Sequence, residues 1–173
     1  MPSGPGAPAL RFTAASAPAQ FSGATAVDLD VAGNPENGRQ LFQAKANCAK
    51  CHMVNGRGGI LGPDLSNIGA ERSLAALREA ITVPKPLPPR GYQPVKVTTV
   101  TGKVITGLVK NQHNTSFQIL GMDEKLHLLT AAQIKDMTFE TKSIMPANAG
   151  RILSADELQD LLAYLSRQAR SRK

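Results

Sequence analysis

The run Cys48-Ala49-Lys50-Cys51-His52 constrains this chain more than any other part of it. Two thiols three residues apart share one face of a helical turn, so both can reach one flat ligand. The histidine beside the second thiol is then carried under the centre of that ligand. This C-x-x-C-H pattern is the attachment signature of a c-type haem, with thioethers to the two vinyl groups and an axial imidazole on iron. The chain has 2 cysteines and 3 histidines, and random placement yields this arrangement about twice in ten thousand chains. Two other readings use the same residues. A redox Cys-x-x-Cys wants a thioredoxin-like strand-helix-strand setting, whereas the residues before Cys48 read as a helix. A zinc site needs a further ligand, which His113 or His127 would have to supply.

Composition is compatible with one haem. Of 173 residues, 42% are hydrophobic, enough for a packed core, but only 4% are aromatic and none is Trp. A buried porphyrin would provide the missing bulk. The formal charge of +7 admits a solubilising role, an anionic surface or an acidic protein partner. The basic residues are scattered and not interleaved with aromatics, so no nucleic-acid partner is expected. No apolar run is long enough for a transmembrane segment. The start of the chain has no basic and then apolar leader. The expected account is a mature or excised segment.

Residues 1–33 are rich in Ala, Pro, Gly and Ser and have no period, which predicts a flexible arm or linker. Asn34-Pro35-Glu36 reads as a helix start, with a cap, a first-turn proline and an acidic residue at the positive end of the dipole. That helix is expected to run to about Cys48, with Gly38 allowing close packing and Leu41 and Phe42 inward. Asn55 to Gly59 and Gly62-Pro63-Asp64 read as loops. A second helix begins at Ser73, with Leu74, Leu77 and Ile81 on one face. It ends near Pro84, where Pro84, Pro86, Pro88 and Pro89 form a stiff connector. Alternating patterns then predict strands at 95–99, 104–108, 117–120, 126–129 and 134–139, a compact β insertion at about 92–140 loosely like a small SH3-like or Sm-like barrel. Lys96, Lys103 and Lys110, seven apart, could contribute to a basic face. Ser154 to Glu157 is a capping box, followed by Leu158, Leu161, Leu162 and Leu165 on one helical face. Residues 169–173 are a basic tail. The expected fold is mainly α: a helical haem domain over 34–168 with a small inserted β-sheet or barrel.

The second axial ligand has six candidates: Met53, Met122, Met137, Met145, His113 and His127. Met53 adjoins His52 and cannot reach the opposite face of a ring that His52 binds. Met122, Met137, His113 and His127 fall in or beside the strands. Met145 lies in Ser143-Ile144-Met145-Pro146, an irregular stretch before the last helix, and Pro146 stiffens it. A thioether at the sixth position favours electron transfer over ligand binding.

At Gly38 to Phe42, Cys48 to His52, Gly62 to Leu65, Ile144 to Pro146 and Leu158 to Leu165, the chain resembles the mono-haem cytochrome c family. The resemblance covers roughly 36–90 and 142–168. It implies that the first and last helices cross at Gly38 beside Phe42 and Tyr164. It implies that the Pro63 carbonyl accepts from the far nitrogen of His52, and that Met145 is the sixth ligand. The ligands stand 93 positions apart, and the β insertion accounts for that length. Within the family the chain looks most like the planctomycete-type C-terminal haem-binding domain, through Gly62 to Ser66, Val97 to Gly107 and Ser143 to Pro146. The function so implied is electron transfer by one covalent haem c, serving a periplasmic dehydrogenase or oxidase. The partner would be a redox protein, either an upstream dehydrogenase domain or a separate dehydrogenase. No catalytic constellation stands out, so no enzyme is expected. The alternative is a haem-based sensor with a labile or open sixth site.

Overall fold

The computed structural model describes residues 31–83, 88–89 and 91–169. Most of the 1–33 arm, Pro84 and Pro86 of the connector, and residues 170–173 of the tail lie outside them. Helix α1, Pro35–Gln43, starts as its sequence requires: the Asn34 side chain accepts from the Glu36 and Asn37 amides, and Pro35 occupies the first turn. It ends at Gln43 rather than near Cys48. The chain then turns through Asn47, which is left-handed at φ 52°, into a 3-10 turn at Cys48–Lys50. Nothing in Gln43-Ala44-Lys45-Ala46 opposes helix by propensity. Packing overrides it, because the turn brings Ala46, Cys48 and Ala49 onto the helical core.

A short antiparallel ribbon follows, β1 Met53–Val54 against β2 Arg57–Gly58. Its connection, Asn55-Gly56, has positive φ at both residues, the requirement of the tight hairpin turn that Asn-Gly favours. Helices α2 Ile68–Glu71 and α3 Leu74–Thr82 come next, and the Ser73 hydroxyl caps α3 at the Ala76 amide. After the strands come α4 Ala149–Ile152 and α5 Ala155–Ser166, the latter opened by the reciprocal Ser154–Glu157 capping box. Helices α1 and α5 cross at Gly38, where a Cβ would overlap the Asp160 carbonyl. The Phe42 and Tyr164 rings meet beside this crossing, 5.6 Å apart and tilted. The helical core gathers Phe42, Leu77, Leu161 and Leu162 with Val54 of the ribbon.

Five longer strands form one antiparallel sheet: β3 Pro94–Thr99, β4 Val104–His113, β5 Ser116–Gly121, β6 Leu126–Thr130 and β7 Ile134–Phe139. Their order is β6-β5-β4-β3-β7, a meander whose last strand returns beside the first. Among the described residues β6 and β7 do not pair, so the sheet is open and not a closed barrel. Because side chains alternate in a strand, the two faces differ. One carries the sheet's own core of Val95, Val97, Ile105 and Ile119. The other presents the row Pro94, Leu108, Leu120 and Leu126, in register across four strands. There Leu108 and Leu120 pack on Leu61, with Cys51, Tyr92 and Ile144 against them. Lys96, Lys103 and Lys110 are all exposed, and the Lys110 ammonium stands 3.9 Å above the Tyr92 ring.

The mainly α expectation is therefore wrong. Helix and strand contents are nearly equal. Two of the five helices are single turns and α1 stops early, while β4 alone spans ten residues. Helix α1 is shorter than its sequence predicts, and the strands contribute nearly as much regular structure as the helices.

Candidate haem site

The attachment run sits on the 3-10 turn. The Cys51 and His52 amides both donate to the Cys48 carbonyl, at 3.1 and 2.9 Å, which closes the turn that carries the two thiols. Both cysteines are free thiols and half-buried. Burial pushes the Cys48 thiol up to about 11, and its S–H donates to the Ala46 carbonyl. The thiol is thus kept protonated in the folded chain.

Three glycines wrap the turn, and each is there because no side chain fits. A Cβ on Gly58 would overlap the His52 carbonyl, and one on Gly59 the Lys50 carbonyl. A Cβ on Gly62 would come within 2.7 Å of the His52 ring. The approach is fixed by backbone bonds: Gly59 to the Ala49 carbonyl at 2.8 Å, Gly62 to the Cys51 carbonyl at 2.6 Å, and Leu65 to the Met53 carbonyl at 2.8 Å.

His52 Nδ1 lies 2.9 Å from the Pro63 carbonyl oxygen. A carbonyl only accepts, so Nδ1 carries the proton and Nε2 keeps its lone pair. Burial lowers the His52 pKa, with the Pro63 bond partly opposing it, and so favours the neutral imidazole that a metal requires. The Pro63 loop is itself held. The buried Ser66 hydroxyl donates to the Asp64 carboxylate and accepts from the Asn55 amide at 2.7 Å. This ties the loop to the ribbon's turn.

Cys48, Cys51, His52 and Pro63 are thus brought together. Met145 is half-buried, and its amide donates to the Ser143 hydroxyl at 3.1 Å. Its neighbour Ile144, not Met145 itself, joins the Leu61–Leu108–Leu120 cluster that also holds Cys51. The other candidates have different surroundings. Met53 lies in β1 and Met137 packs on the sheet's own core. Met122 is 47% exposed. His113 ends β4 in solvent, and His127 faces Asp123 at 3.3 Å. Among the described residues no three His, Cys, Asp or Glu side chains converge as a metal site. The five-stranded sheet is antiparallel throughout and Cys48 follows a helix, so the thioredoxin-like setting is missing too.

The residues present fit a covalent haem. Two free thiols sit on one closed turn, a neutral imidazole has its tautomer set, and glycines keep side chains off both. Reasoning from sequence missed the roles of Gly58, Gly59 and the Asp64–Ser66 pair. The density of glycine after His52 was the available signal, since glycine marks close backbone approach as well as loops.

No curated protein matches the chain. Among solved structures, that of SoxXA from P. pantotrophus aligns at 19% identity over 80% of this chain and 83% of that one, with a TM-score of 0.40. Among the described residues, no helix is long and apolar enough to cross a membrane. The family model for cytochrome c matches residues 35–169, from the first residue of α1 past the end of α5, and the chain belongs to the cytochrome c family.

Proposed function

We propose that this chain is an electron carrier with one haem c, attached through Cys48 and Cys51, with His52 and Met145 as axial ligands. The bound group supplies one-electron chemistry at iron. The chain supplies the rest. Cys48 and Cys51 anchor the ring on one side of a closed turn. His52 offers Nε2 in a fixed tautomer, and its bond to Pro63 both orients the ring and raises its basicity. Gly58, Gly59 and Gly62 keep side chains away from the turn and the imidazole. Met145 would supply a soft sulfur that favours ferrous iron. The observation that carries the reading is the His52–Pro63 bond beside two free thiols, because it prepares the one nitrogen that a metal needs.

The domain reading belongs to the same proposal: one haem domain over 34–168, interrupted by the sheet at about 92–140, with 1–33 as an arm and 169–173 as a tail. The Gly62 to Ser66, Val97 to Gly107 and Ser143 to Pro146 runs support the planctomycete-type haem-binding domain within the family. Electron transfer without catalysis, an extracytoplasmic location and a redox protein partner follow from that reading. The partner is either an upstream dehydrogenase domain or a separate dehydrogenase. A second reading, a haem-based sensor, draws on one observation: Met145 stands outside the packed cluster that holds Cys51.

The test uses protein matured in a host competent for c-type haem. After denaturation and acid extraction, the haem stays with the polypeptide and the mass rises by one haem. Free haem in the organic layer, with an unmodified polypeptide, would overturn the proposal. Cys48→Ala or Cys51→Ala leaves at most one thioether.

A further inference from the structure

We infer that the five-stranded sheet is a positioning element for the sixth ligand, acting through Leu108 and Leu120 on Ile144. The inference rests on Met145 as that ligand. Three observations carry it. First, Leu108 and Leu120 lie in register on β4 and β5, on the face opposite the sheet's own core. They are almost fully buried, at 0% and 6% exposure, although they belong to no part of that core. Second, what buries them comes from both sides of the haem-binding region. Leu61 and Cys51 belong to the attachment segment, and Ile144 directly precedes Met145. Third, the Met145 segment has little regular structure of its own. Between the end of β7 at Phe139 and the start of α4 at Ala149, no helix or strand intervenes. The Ser143 hydroxyl bond to the Met145 amide shapes the turn but does not fix where the turn sits.

A side chain anchored in a close-packed cluster loses its freedom to shift, because an interior cannot deform without opening a void. Ile144 is the anchor of its loop. The cluster of Leu108, Leu120 and Leu61 is the surface it bears on, and Cys51 of the attachment segment packs against the same cluster. One rigid body thereby bears on both the attachment segment and the ligand loop. The sheet is a strut that holds the Met145 sulfur at its distance from iron, and so sets how readily that bond opens.

The test compares substitutions on the two faces of the same strands in the holoprotein. Leu108→Ala removes the bearing surface, and Ile105→Ala removes a buried side chain from the opposite face of β4. Both leave a core cavity and lower thermal stability. Only Leu108→Ala is expected to weaken the methionine-to-ferric-iron charge-transfer band and to lower the pH at which it disappears. Carbon monoxide binding should quicken about tenfold, as it would if roughly a third of the cavity cost falls on the opening of the loop. Leu108→Met, which keeps volume, restores both readouts. Ile144→Ala, on a half-exposed loop, reports the same effect should Leu108→Ala not fold. Equal effects from the two faces, or none from Leu108→Ala and Ile144→Ala, would overturn the inference. Met145→Ala is measured alongside. If it removes the band while the Leu108 and Ile144 variants leave it unchanged, this inference alone falls. If Met145→Ala leaves the band intact, the ligand assignment falls and takes the inference with it.

Discussion

The Nδ1–H of His52 donates to the Pro63 carbonyl across 2.9 Å, and Gly62, one residue before, lies against the same imidazole with no room for a methyl group. The two contacts act together. One fixes which nitrogen faces away from the loop, and the other fixes the plane of the ring. Gly62→Ala pushes a methyl group into the imidazole and pulls the carbonyl off Nδ1. Partners that orient a metal-bound histidine typically contribute about 10- to 100-fold to metal affinity. The variant is therefore expected to hold iron less firmly on the proximal side and to raise the reduction potential, since a weaker bond at Nδ1 makes His52 a poorer donor. Redox titration of wild type and variant checks this. An unchanged potential with a shifted ring would show that the Pro63 bond does not tune the site.

How much of this could be read beforehand differs by element. The strands were legible because alternation such as Val95, Val97 and Thr99 states a buried face directly; four of the five lie close to their expected bounds, and β4 runs five residues past its expected end at 108, to His113. The starts of α1, α3 and α5 were legible because Asn34, Ser73 and Ser154 cap by local hydrogen bonds. The end of α1 was not, because Ala44, Lys45 and Ala46 are good helix formers and only tertiary packing turns the chain there. The ribbon at Met53–Gly58 has a strong turn signal in Asn55-Gly56, but its strands are two residues long and show no period. The single-turn helices α2 and α4 are too short for a period as well. At the site, the thiols and His52 were legible from spacing alone. The joint between Leu61, Leu108, Leu120 and Ile144 was not, since it links residues from distant segments and each reads locally as ordinary core.

The Cys48 thiol is held up near 11 by burial, against a reference value of 9.0. At neutral pH its thiolate fraction is thus about 100-fold below that of an ordinary cysteine. In the haem-free folded chain, alkylation of Cys48 by iodoacetamide should be slow at pH 7 and rise until the pH passes about 11. The sign for stability follows. Between 9.0 and about 11 the unfolded chain loses the proton first, so the folded state is progressively less favoured as pH rises through this window. Mild urea, by opening the turn, should return Cys48 to ordinary reactivity. Peptide mass mapping after timed alkylation reads both effects. Fast labelling in native buffer at pH 7 would show that the turn does not shelter the thiol.

At Gly38 helices α1 and α5 approach so closely that a Cβ would overlap the Asp160 carbonyl. Gly38→Ala would force the helices apart. It should cost about 1–3 kcal/mol, the range for overpacking a close-packed core. Gly56→Ala provides the contrast. A Cβ there meets nothing within 4 Å, but the backbone sits at φ +77°, so only local strain of about 1 kcal/mol is expected. Thermal melts of the two holoproteins rank them. A larger loss at Gly56 than at Gly38 would mean that the helix crossing is not where stability is concentrated.

The sixth ligand is the point at which carrier and sensor part. Met122 is 47% exposed, Met137 is packed on the sheet's own core, and His127 is turned toward Asp123. Met145 is half-buried in a loop whose preceding residue packs into the same cluster as Cys51. Unlike Met122, Met137 and His127, it directly follows a residue that packs into the cluster holding Cys51. A thioether stabilises ferrous iron and closes the site. Met145→Ala should therefore abolish the sulfur-to-ferric-iron charge-transfer band, lower the reduction potential and admit carbon monoxide or cyanide. Met122→Ala and His127→Ala should leave all three readouts unchanged. A wild-type protein that lacks the band and already takes up carbon monoxide quickly would favour the sensor reading. A spectrum altered by His127→Ala but not by Met145→Ala would move the ligand to the sheet and leave the thioether attachment as a separate question.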